Sequence, residues 1–418
     1  MKRYEKYKPT GIQWLPEIPE HWNISKIKSH FRLRATKVSD NEYSALSVSK
    51  NGITPQLDSA VKTDNGDNRK LVKSGDFVVN SRSDRKGSCG ISSLDGSVSL
   101  INIVLEPIDG FGLFYHHLFR SNNYIEEFYR NGRGIVSDLW TTRWNEMSSI
   151  EIPFPPIDEQ KHIAAYLDKR ITLIENCKCQ RERELQTLNE LKQAEIASVV
   201  TRGLNPDVPM KDSGQIQFGK VPAHWDTIKL KYCFNQRSEK GFPNEPVLCA
   251  TQSKGVIPQS LYENRVVVVN KGFDGLKLVK VGDFVISLRS FQGGIEYAYY
   301  QGIISSAYTI LIPKDERNSK YFKYLFKSHP FIQLLQTCVT GIREGQNINY
   351  SVLGNNFIPV PPIEEQNAIV EYIESKTSKI DTMIEALKAE IDRLTEYKQR
   401  LISDVVTGQI DVRGEQIQ

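Results

Sequence analysis

The chain has 418 residues, of which 39% are hydrophobic and 25% charged, with a formal net charge of +4 at pH 7. This length predicts two to three domains, and the composition is typical of a soluble globular protein. No apolar run approaches the roughly 18 residues of a membrane-spanning helix, and the polar start MKRYEKYKPT is unlike a secretion signal. The six cysteines are scattered, without zinc-ligand spacing. We therefore expect a cytoplasmic protein with reduced thiols and no metal site.

Motifs in the first half of the chain return, in the same order, in the second half. PEHW (19–22) recurs as PAHW (222–225), VKSGDFVVNSRS (72–83) as VKVGDFVISLRS (279–290), LFRS (118–121) as LFKS (325–328), and PPIDEQ (155–160) as PPIEEQ (361–366). One such match can arise by chance, but a colinear series cannot. The period is far longer than that of a solenoid repeat, so the series predicts a tandem duplication of a whole domain.

Each half begins with a strand-rich segment and continues into a long helix. Asp76–Asn80 and Arg265–Val269 are typical of β-strands because they are rich in Val and Phe and lie beside Gly or Asn. The Pro-Pro pairs at 155–156 and 361–362 suit the first turn of a helix, and the acidic residues after them favour the positive end of its dipole. Gly203 and Gly408 mark the helix ends.

Apolar residues repeat at coiled-coil spacing along both predicted helices. In the second helix they are Ile373, Ile380, Ile384, Leu387, Ile391, Leu394, Leu401 and Val405. In the first helix they are Leu167, Ile174, Leu185, Leu188 and Val199, and Lys178 and Arg181 interrupt the series. The alternative is two independent amphipathic helices in separate cores. Matched length and placement favour two helices packed against each other, about 60 Å long at 1.5 Å per residue.

These patterns predict an α+β fold: two tandem strand-rich α/β domains separated by two long antiparallel coiled-coil helices, in a pseudo-two-fold internal repeat. The predicted divisions are 1–155 for the first domain, 156–205 for the first helix, 206–361 for the second domain, 362–410 for the second helix and 411–418 for a tail. The duplication also predicts that the segment Thr407–Val412 lies near Thr10–Gln13.

The positive charge lies in the two strand-rich segments. Residues 1–155 contain 21 Lys and Arg against 18 Asp and Glu, and residues 206–361 contain 18 against 12, giving +3 and +6. The helical segments 156–205 and 362–418 carry 0 and −5. A basic excess favours a polyanionic partner. Two basic domains held apart by a helical rod suit a DNA site of two half-sites roughly one turn apart.

Together these motifs resemble the specificity subunit of type I restriction–modification enzymes. The resemblance covers essentially the whole chain and rests on PEHW and PAHW, GDFVVNSR and GDFVISLR, IPFPPIDEQ and IPVPPIEEQ, and the helix ends VVTRG and VVTG. It implies two target-recognition domains, each reading half of a gapped sequence in double-stranded DNA. It implies two conserved helices that set the gap and dock two methyltransferase subunits, which methylate adenine with S-adenosylmethionine. It also implies restriction/translocase partner subunits, and neither a catalytic centre nor a cofactor in this chain.

Candidate DNA-binding residues lie in polar and basic loops of both halves. Arg82 and Arg289 follow strands and suit guanine or phosphate; the alternative is that they pair with Asp76 or Asp283. Gln and Asn in the loops before each Pro-Pro stop suit adenine edges, although these loops can also be plain connections. The full set is Lys50, Arg82, Arg85, Lys86, Arg133, Arg143, Lys254, Arg289, Gln292, Arg343, Gln346 and Asn347. Because these loops differ between the halves, we expect an asymmetric target.

The sequence lacks the motifs of a catalytic subunit. It has no GxxxxGK[ST] phosphate-binding loop and no glycine-rich cofactor fingerprint. His21 and His224, each beside a Trp, are interpreted as structural because they occupy equivalent points of the repeat. Two alternatives to a DNA-reading subunit stay open. One is a coiled-coil scaffold whose globular parts bind protein, which the basic charge disfavours, and the other is a free-standing enzyme acting on DNA, for which no residues are found.

Overall fold

The computed structural model describes residues 2–50, 52–56, 66–134, 140–262, 272–340 and 347–416, without the side chains of Ser83 and Asn318. The chain forms two compact units. Unit 1 comprises residues 1–182 and 389–418, and unit 2 comprises residues 183–388. Both divisions fall inside a long helix, so each unit includes part of both helices. The strand predicted at Arg265–Val269 lies outside the described residues.

Unit 1 contains thirteen short strands among its described residues, and three short helices precede the first long one. The strands are β1 Tyr7–Ile12, β2 Leu15–Pro19, β3 Asn23–Lys26, β4 Phe31–Leu33, β5 Lys37–Val38, β6 Leu46–Ser49, β7 Gly52–Pro55, β8 Arg69–Val72, β9 Phe77–Asn80, β10 Cys89–Ile91, β11 Gly96–Val98, β12 Asn102–Pro107 and β13 Glu151–Phe154. The helices are α1 Gly112–Leu118, α2 Asn122–Arg130, α3 Trp144–Met147 and α4 Ile157–Arg202, which continues into unit 2.

Unit 2 has a similar series of elements. Its strands are β14 Met210–Asp212, β15 Lys220–Pro222, β16 Asp226–Lys229, β17 Phe234–Arg237, β18 Leu248–Thr251, β19 Gly255–Pro258, β20 Lys277–Val279, β21 Phe284–Ile286, β22 Glu296–Tyr297, β23 Gly302–Ile304, β24 Thr309–Pro313, β25 Val339–Thr340, β26 Asn347–Ile348 and β27 Phe357–Val360. Its helices are α5 Leu230–Cys233, α6 Ser290–Gly293, α7 Ser319–Leu325, α8 His329–Thr337, α9 Tyr350–Leu353 and α10 Ile363–Val406, which continues into unit 1.

The four-stranded sheet and three of the smaller strand pairs have the same topology in the two units. The four-stranded sheet of unit 1 has the order β10-β9-β12-β4, and that of unit 2 has the matching order β22-β21-β24-β17. The smaller pairs also correspond: β1-β2 with β14-β15, β13-β3 with β27-β16, and β6-β7 with β18-β19. The duplication inferred from the motifs is therefore a duplication of the fold.

The repeated Gly-Asp of SGDF and VGDF makes a tight turn before the central strand. Asp76 N donates to Lys73 O at 2.9 Å, and Asp283 N donates to Lys280 O at 3.1 Å. The glycine at the third position has φ +93° at Gly75 and +94° at Gly282. A type II turn requires a positive φ there, which glycine adopts without steric cost.

The PPIDEQ motif begins each long helix, as predicted. The Gln160 Nε2 donates to Pro155 O and the Gln366 Nε2 to Pro361 O, both at 2.8 Å. The buried glutamine therefore ties the first turn of the helix to the Pro-Pro stop, while the acidic residues between them lie at the positive end of the helix dipole.

The two long helices pack against each other in antiparallel fashion within each unit. In unit 1, Lys398 Nζ donates to Glu175 Oε1 at 2.5 Å and Arg181 Nε to Glu390 Oε1 at 3.1 Å. In unit 2, Lys192 Nζ donates to Asp381 Oδ1 at 2.6 Å. The seam is buried at Leu167, Ile174, Val199, Ile373, Ile380, Ile384, Leu387, Leu401 and Val405, and half-buried at Leu185, Leu188, Ile391 and Leu394. Arg181, in the predicted interruption, forms an ion pair across the helices. The predicted fold class is confirmed.

Each unit has an aromatic core beneath its four-stranded sheet. Trp22, Phe31 and Phe77 in unit 1 pack with Leu167 of α4 and Val405 of α10. In unit 2 the equivalent core is one contiguous cluster that contains Trp225, Phe234, Phe284, Val200 and Ile373. Both tryptophans are fully buried, so the tryptophan of each PEHW-type motif packs the start of its half onto the core.

The segment after α10 packs near the N-terminal hairpin. Hydrogen bonds join it to Lys2, Tyr7 and Glu17 rather than to the predicted Thr10–Gln13. Tyr7 OH donates to Gly408 O at 2.9 Å, and Asp411 N donates to Lys2 O at 2.9 Å. Gln409 Nε2 reaches Glu17 O at 3.3 Å. Unit 1 therefore joins residues from both ends of the sequence around one core.

Candidate nucleic-acid interface

Backbone pairing around Thr141 brings three arginine residues of unit 1 to neighbouring positions. Arg82, just after β9, and Arg133, after α2, both form isolated β-bridges with Thr141. The Arg133–Thr141 bridge has hydrogen bonds in both directions, at 2.9 and 3.0 Å. Arg143 lies two residues beyond Thr141, and all three arginine residues are exposed. The local backbone pairing thus presents Arg82, Arg133 and Arg143 together, and we call them the arginine cluster.

Glu146 is an acidic neighbour of the arginine cluster, and it is weakly held. Arg133 Nε lies 3.3 Å from Glu146 Oε1, with 84% of the arginine side chain exposed. The Arg143 backbone N donates to the other oxygen of Glu146 at 3.2 Å, which caps α3. An exposed ion pair of this kind contributes about 0–1 kcal/mol. A phosphate can therefore replace Glu146 as the partner of Arg133 at little cost.

Arg85 and Lys86 extend the basic edge from the arginine cluster. They end a 3-10 turn, Ser83–Arg85, that starts directly after Arg82. Lys86 Nζ lies 3.0 Å from Glu126 Oε1 and 5.4 Å from the Tyr129 ring centroid. The Tyr129 hydroxyl in turn donates to Arg82 O at 2.7 Å. The turn is therefore fixed to α2, and its two cations stay at the surface.

The sequence analysis left open that Arg82 and Arg289 pair with Asp76 and Asp283. That pairing is wrong, because both carboxylates have other partners. The Asp76 carboxylate accepts from Arg34 Nε at 2.7 Å, and the Asp283 carboxylate accepts from Arg237 Nε at 2.8 Å. These hydrogen bonds raise the pKa of both guanidinium groups above the ordinary value. Because each carboxylate is buried and bidentately paired, the exposed arginine at the end of the next strand is available for another ligand.

In unit 2, two candidate loops lie against each other. Arg289 caps α6, and Gln292 is exposed on that helix. Lys254 is exposed in the turn between β18 and β19. The next residue of α6, Gly293, is so close to that turn that a Cβ there would lie 2.8 Å from Cδ of Gln252. The structure therefore brings Lys254, Arg289 and Gln292 to neighbouring loops.

The remaining predicted residues do not join these groups. Lys50 is exposed in the turn between β6 and β7, at the place equivalent to the Lys254 turn. Asn347 is exposed on β26, which pairs with β25. Arg343 and Gln346 lie outside the described residues. No observation tests any of the twelve residues for contact with DNA, so their role stays a prediction.

The repeated histidines have a structural role, as predicted. His21 Nε2 lies 2.8 Å from Glu159 Oε2, and His224 Nε2 lies 2.7 Å from Glu365 Oε2. Each pair joins the PEHW-type motif to the first turn of the long helix in its own unit. Glu159 and Glu365 therefore have two roles. Each fixes the start of its half through a histidine, and each places a negative charge at the positive end of the helix dipole.

Two cations that the sequence analysis missed hold the candidate loops. Arg120 Nη2 donates to the backbone carbonyl of Lys50. Lys327 Nζ donates to Gln252 O at 3.2 Å and Gly293 O at 2.9 Å. The available signal was the repeated LFRS and LFKS, which place the two cations at equivalent positions.

Within the described ranges, no group of three or more His, Cys, Asp or Glu is arranged to hold a metal ion. All six cysteines are free thiols, and burial raises the pKa of Cys89 to about 12 and of Cys233 to about 11. None of the helices in the same ranges is both long and apolar enough to cross a bilayer.

The chain thus has a fold of two repeated strand-rich units that share two long antiparallel-packed helices, with exposed basic loops in each unit. Residues 222–393 match the family described as "Type I restriction modification DNA specificity domain". The chain is 28% identical over 282 residues to the type I restriction enzyme MjaVIII specificity subunit of Methanocaldococcus jannaschii, covering 64% of this chain and 63% of that one. It is 23% identical over 292 residues to the EcoBI specificity subunit of Escherichia coli, covering 62% and 58%.

A solved structure supports the fold. A chain from a structure that concerns complex assembly and conformational transition of the type I restriction–modification system aligns with a TM-score of 0.68 and 16% identity, covering 94% of this chain and 99% of that one. The alignments with the curated relatives span about 60% of the relatives' length. The resemblance to the specificity subunits of type I restriction–modification enzymes is thereby confirmed.

Proposed function

We propose that this chain is the subunit of a type I restriction–modification complex that binds DNA sequence-specifically and reads a bipartite, gapped target. Residues 1–155 and 206–361 are the proposed target-recognition domains. Residues 156–205 and 362–410 are the proposed spacer helices that dock two methyltransferase subunits and the restriction/translocase subunits. In this proposal the chain is non-catalytic, needs no cofactor of its own and acts in the cytoplasm.

The observation that carries the proposal is the repeated placement of an exposed arginine after the same central strand. Arg82 follows β9, Arg289 follows β21, and the buried aspartate of each turn is already paired with another arginine. An arginine at this position can pair bidentately with guanine, which contributes about 1–3 kcal/mol of discrimination against a wrong base.

Differences between the loops support an asymmetric target. In unit 1 the arginine is followed by the basic turn with Arg85 and Lys86, whereas in unit 2 it caps a short helix with Gln292. Arginine suits guanine and glutamine suits adenine. We therefore expect two half-sites with different sequences.

The proposal is tested by mapping N6-methyladenine in genomic DNA of the host with and without this gene. We expect methylation of one gapped, two-part motif to disappear when the gene is deleted, and to return on complementation. If the gene and its methyltransferase partner are both expressed and no motif changes, the proposal is wrong.

A second measurement separates DNA reading from a purely protein-binding scaffold. DNA affinity of the complex with its methyltransferase subunits should fall steeply with salt, since cations that bind phosphates release counterions. The variant for comparison carries Arg82→Gln, Arg85→Gln and Lys86→Gln. For this variant, the slope of the logarithm of the binding constant against the logarithm of the salt concentration should be less steep by about two to three, which is about one for each lost cation. Weak, salt-insensitive binding by both proteins would favour the scaffold.

A further inference from the structure

A half-buried cation fastens two candidate DNA-reading loops of unit 2 to each other. Lys327 follows α7, and its ammonium group donates to Gln252 O, Gly293 O and Glu296 Oε1 at 3.2, 2.9 and 2.5 Å. Gln252 belongs to the turn that carries Lys254, and Gly293 belongs to the helix that carries Gln292. One ammonium group therefore sets the distance between the two loops.

All the N–H donors of the Lys327 ammonium group are used within the protein, so none is left for a nucleic acid. The ammonium group has three donors, and the three acceptors just named use all of them. The Glu296 carboxylate is 3% exposed, so the pair is fixed inside the unit. Any effect of Lys327 on DNA reading must therefore pass through the loops that it holds.

The equivalent cation of unit 1, Arg120, has a corresponding contact. Arg120 Nη2 donates to Lys50 O, in the turn that corresponds to the Lys254 turn of unit 2. Its Nη1 donates to His116 Nε2 at 2.8 Å. The next residue in both motifs is a serine that bonds the carbonyl three residues back, at 2.7 Å in both units, so both cations emerge from a fixed turn.

We propose that Arg120 and Lys327 are positioning residues for the two halves of the DNA target. Arg120 fixes the Lys50 turn of unit 1, and Lys327 fixes two loops of unit 2 to each other. The proposal rests on the proposed function. A cation at this point satisfies a backbone carbonyl in the turn between β6 and β7 in unit 1, and in the turn between β18 and β19 in unit 2. Without it, the exposed side chains of that turn sample more orientations, and discrimination between bases falls.

The variants that test this are Lys327→Met and Arg120→Met, which keep an unbranched flexible side chain, shorter than the natural one, and remove the donors. Each is co-expressed with the methyltransferase subunit in a host without this methylation, and N6-methyladenine is mapped across the genome. We expect K327M to raise methylation about tenfold at sites with one wrong base in one half-site, as expected for the loss of one good base contact. R120M should do the same for the other half-site only.

Conservative variants are the matched controls. Lys327→Arg and Arg120→Lys exchange the two natural cations and should keep the wild-type motif in both halves. A merely structural role would lower methylation at all sites in proportion, without changing base preference. If K327M is insoluble, Lys327→Gln replaces it, with the same expected and contrary results.

The positioning role is overturned if folded K327M or K327Q keeps wild-type base preference, or if the two cations affect the same half-site. Failure of the proposed function looks different, because the wild-type chain would then specify no motif at all.

Discussion

The two units hold their candidate loops with the same kind of cation but with opposite kinds of partner. In unit 1, Arg120 donates to His116, whose pKa burial and the nearby Arg120 lower to about 3. In unit 2, Lys327 pairs with Glu296, whose pKa burial raises to about 7. One partner is a base kept neutral, and the other is an acid close to its titration point. The duplicated position of the cation is therefore retained, while the effect of pH on its partner differs between the units.

The largest expected loss of unfolding free energy comes from breaking the buried ion pair next to each central strand. Asp283→Ala leaves Arg237 without its main partner, and the Arg237 side chain is 8% exposed. Breaking such a pair costs about 3–5 kcal/mol because the remaining charge stays buried. The matched variant Asp76→Ala should cost less, since the Arg34 side chain is 20% exposed, against 8% for Arg237. Both arginines keep a second acidic neighbour, Glu106 at 3.5 Å from Arg34 and Glu239 at 2.6 Å from Arg237.

The measurement is urea unfolding of both variants at pH 7, with hydrogen exchange to assign the lost stability to one unit. Equal destabilisation by D283A and D76A would contradict the burial argument.

The next largest effect is on the pH dependence of stability, which should have opposite signs in the two units. Glu296 binds its proton more tightly in the folded state, so its contribution to the stability of unit 2 is present below pH 4.5 and is lost as pH rises through about 7. The loss is about 3 kcal/mol at 1.4 kcal/mol per pKa unit. His116 binds its proton less tightly when folded, so unit 1 loses stability as pH falls below about 6.5.

Glu296→Gln and His116→Gln are the variants for this comparison, because each keeps an acceptor for the cation. Between pH 5 and pH 8, hydrogen exchange should show E296Q stabilising unit 2 at the alkaline end and H116Q stabilising unit 1 at the acid end. Parallel pH profiles of wild type and E296Q in unit 2 would show that Glu296 does not titrate in this range.

The smallest expected effect lies in the two helix-start glutamines. Gln160 donates to Pro155 O and accepts from Phe111 N at 2.8 Å. Gln366 makes only the first type of contact, and its Oε1 is buried without a hydrogen-bond partner among the described residues. At about 1 kcal/mol per hydrogen bond, Gln160→Ala should cost about 1 kcal/mol more than Gln366→Ala.

Thermal unfolding of the two glutamine variants side by side measures this difference. A larger loss for Q366A would mean that the unpaired oxygen has a partner that the present contacts do not include.

The sequence was sufficient for features set by local pattern. The helix starts, the seam residues such as Ile373 and Leu401, and the buried Trp22 and Trp225 follow from spacing, dipole and repetition. The strand predicted at Asp76–Asn80 is confirmed, from Phe77. Local pattern places each of these side chains on a buried face, even where its packing partners are distant in sequence, as Val405 is from Trp22.

Long-range pairing was not predictable in the same way. Arg34 bonds Asp76 across 42 residues, and Arg82 and Arg133 share Thr141. No local pattern distinguishes Arg34 from Arg82 as the partner of Asp76, because both are cations near the same sheet. The choice depends on the order β10-β9-β12-β4, which places β4 and its following Arg34 beside the turn. The candidate loops could be located by repetition, but the cations that hold them could not be assigned.

The division of both long helices between the units has a consequence for folding during synthesis. All residues of unit 2 lie in the continuous stretch 183–388, so that unit can complete its core as soon as this stretch has left the ribosome. Unit 1 needs Leu401 and Val405 around Trp22, and these are made last. The half of the protein that is translated first is therefore the half that finishes folding second, and its aromatic core waits for the final turns of α10.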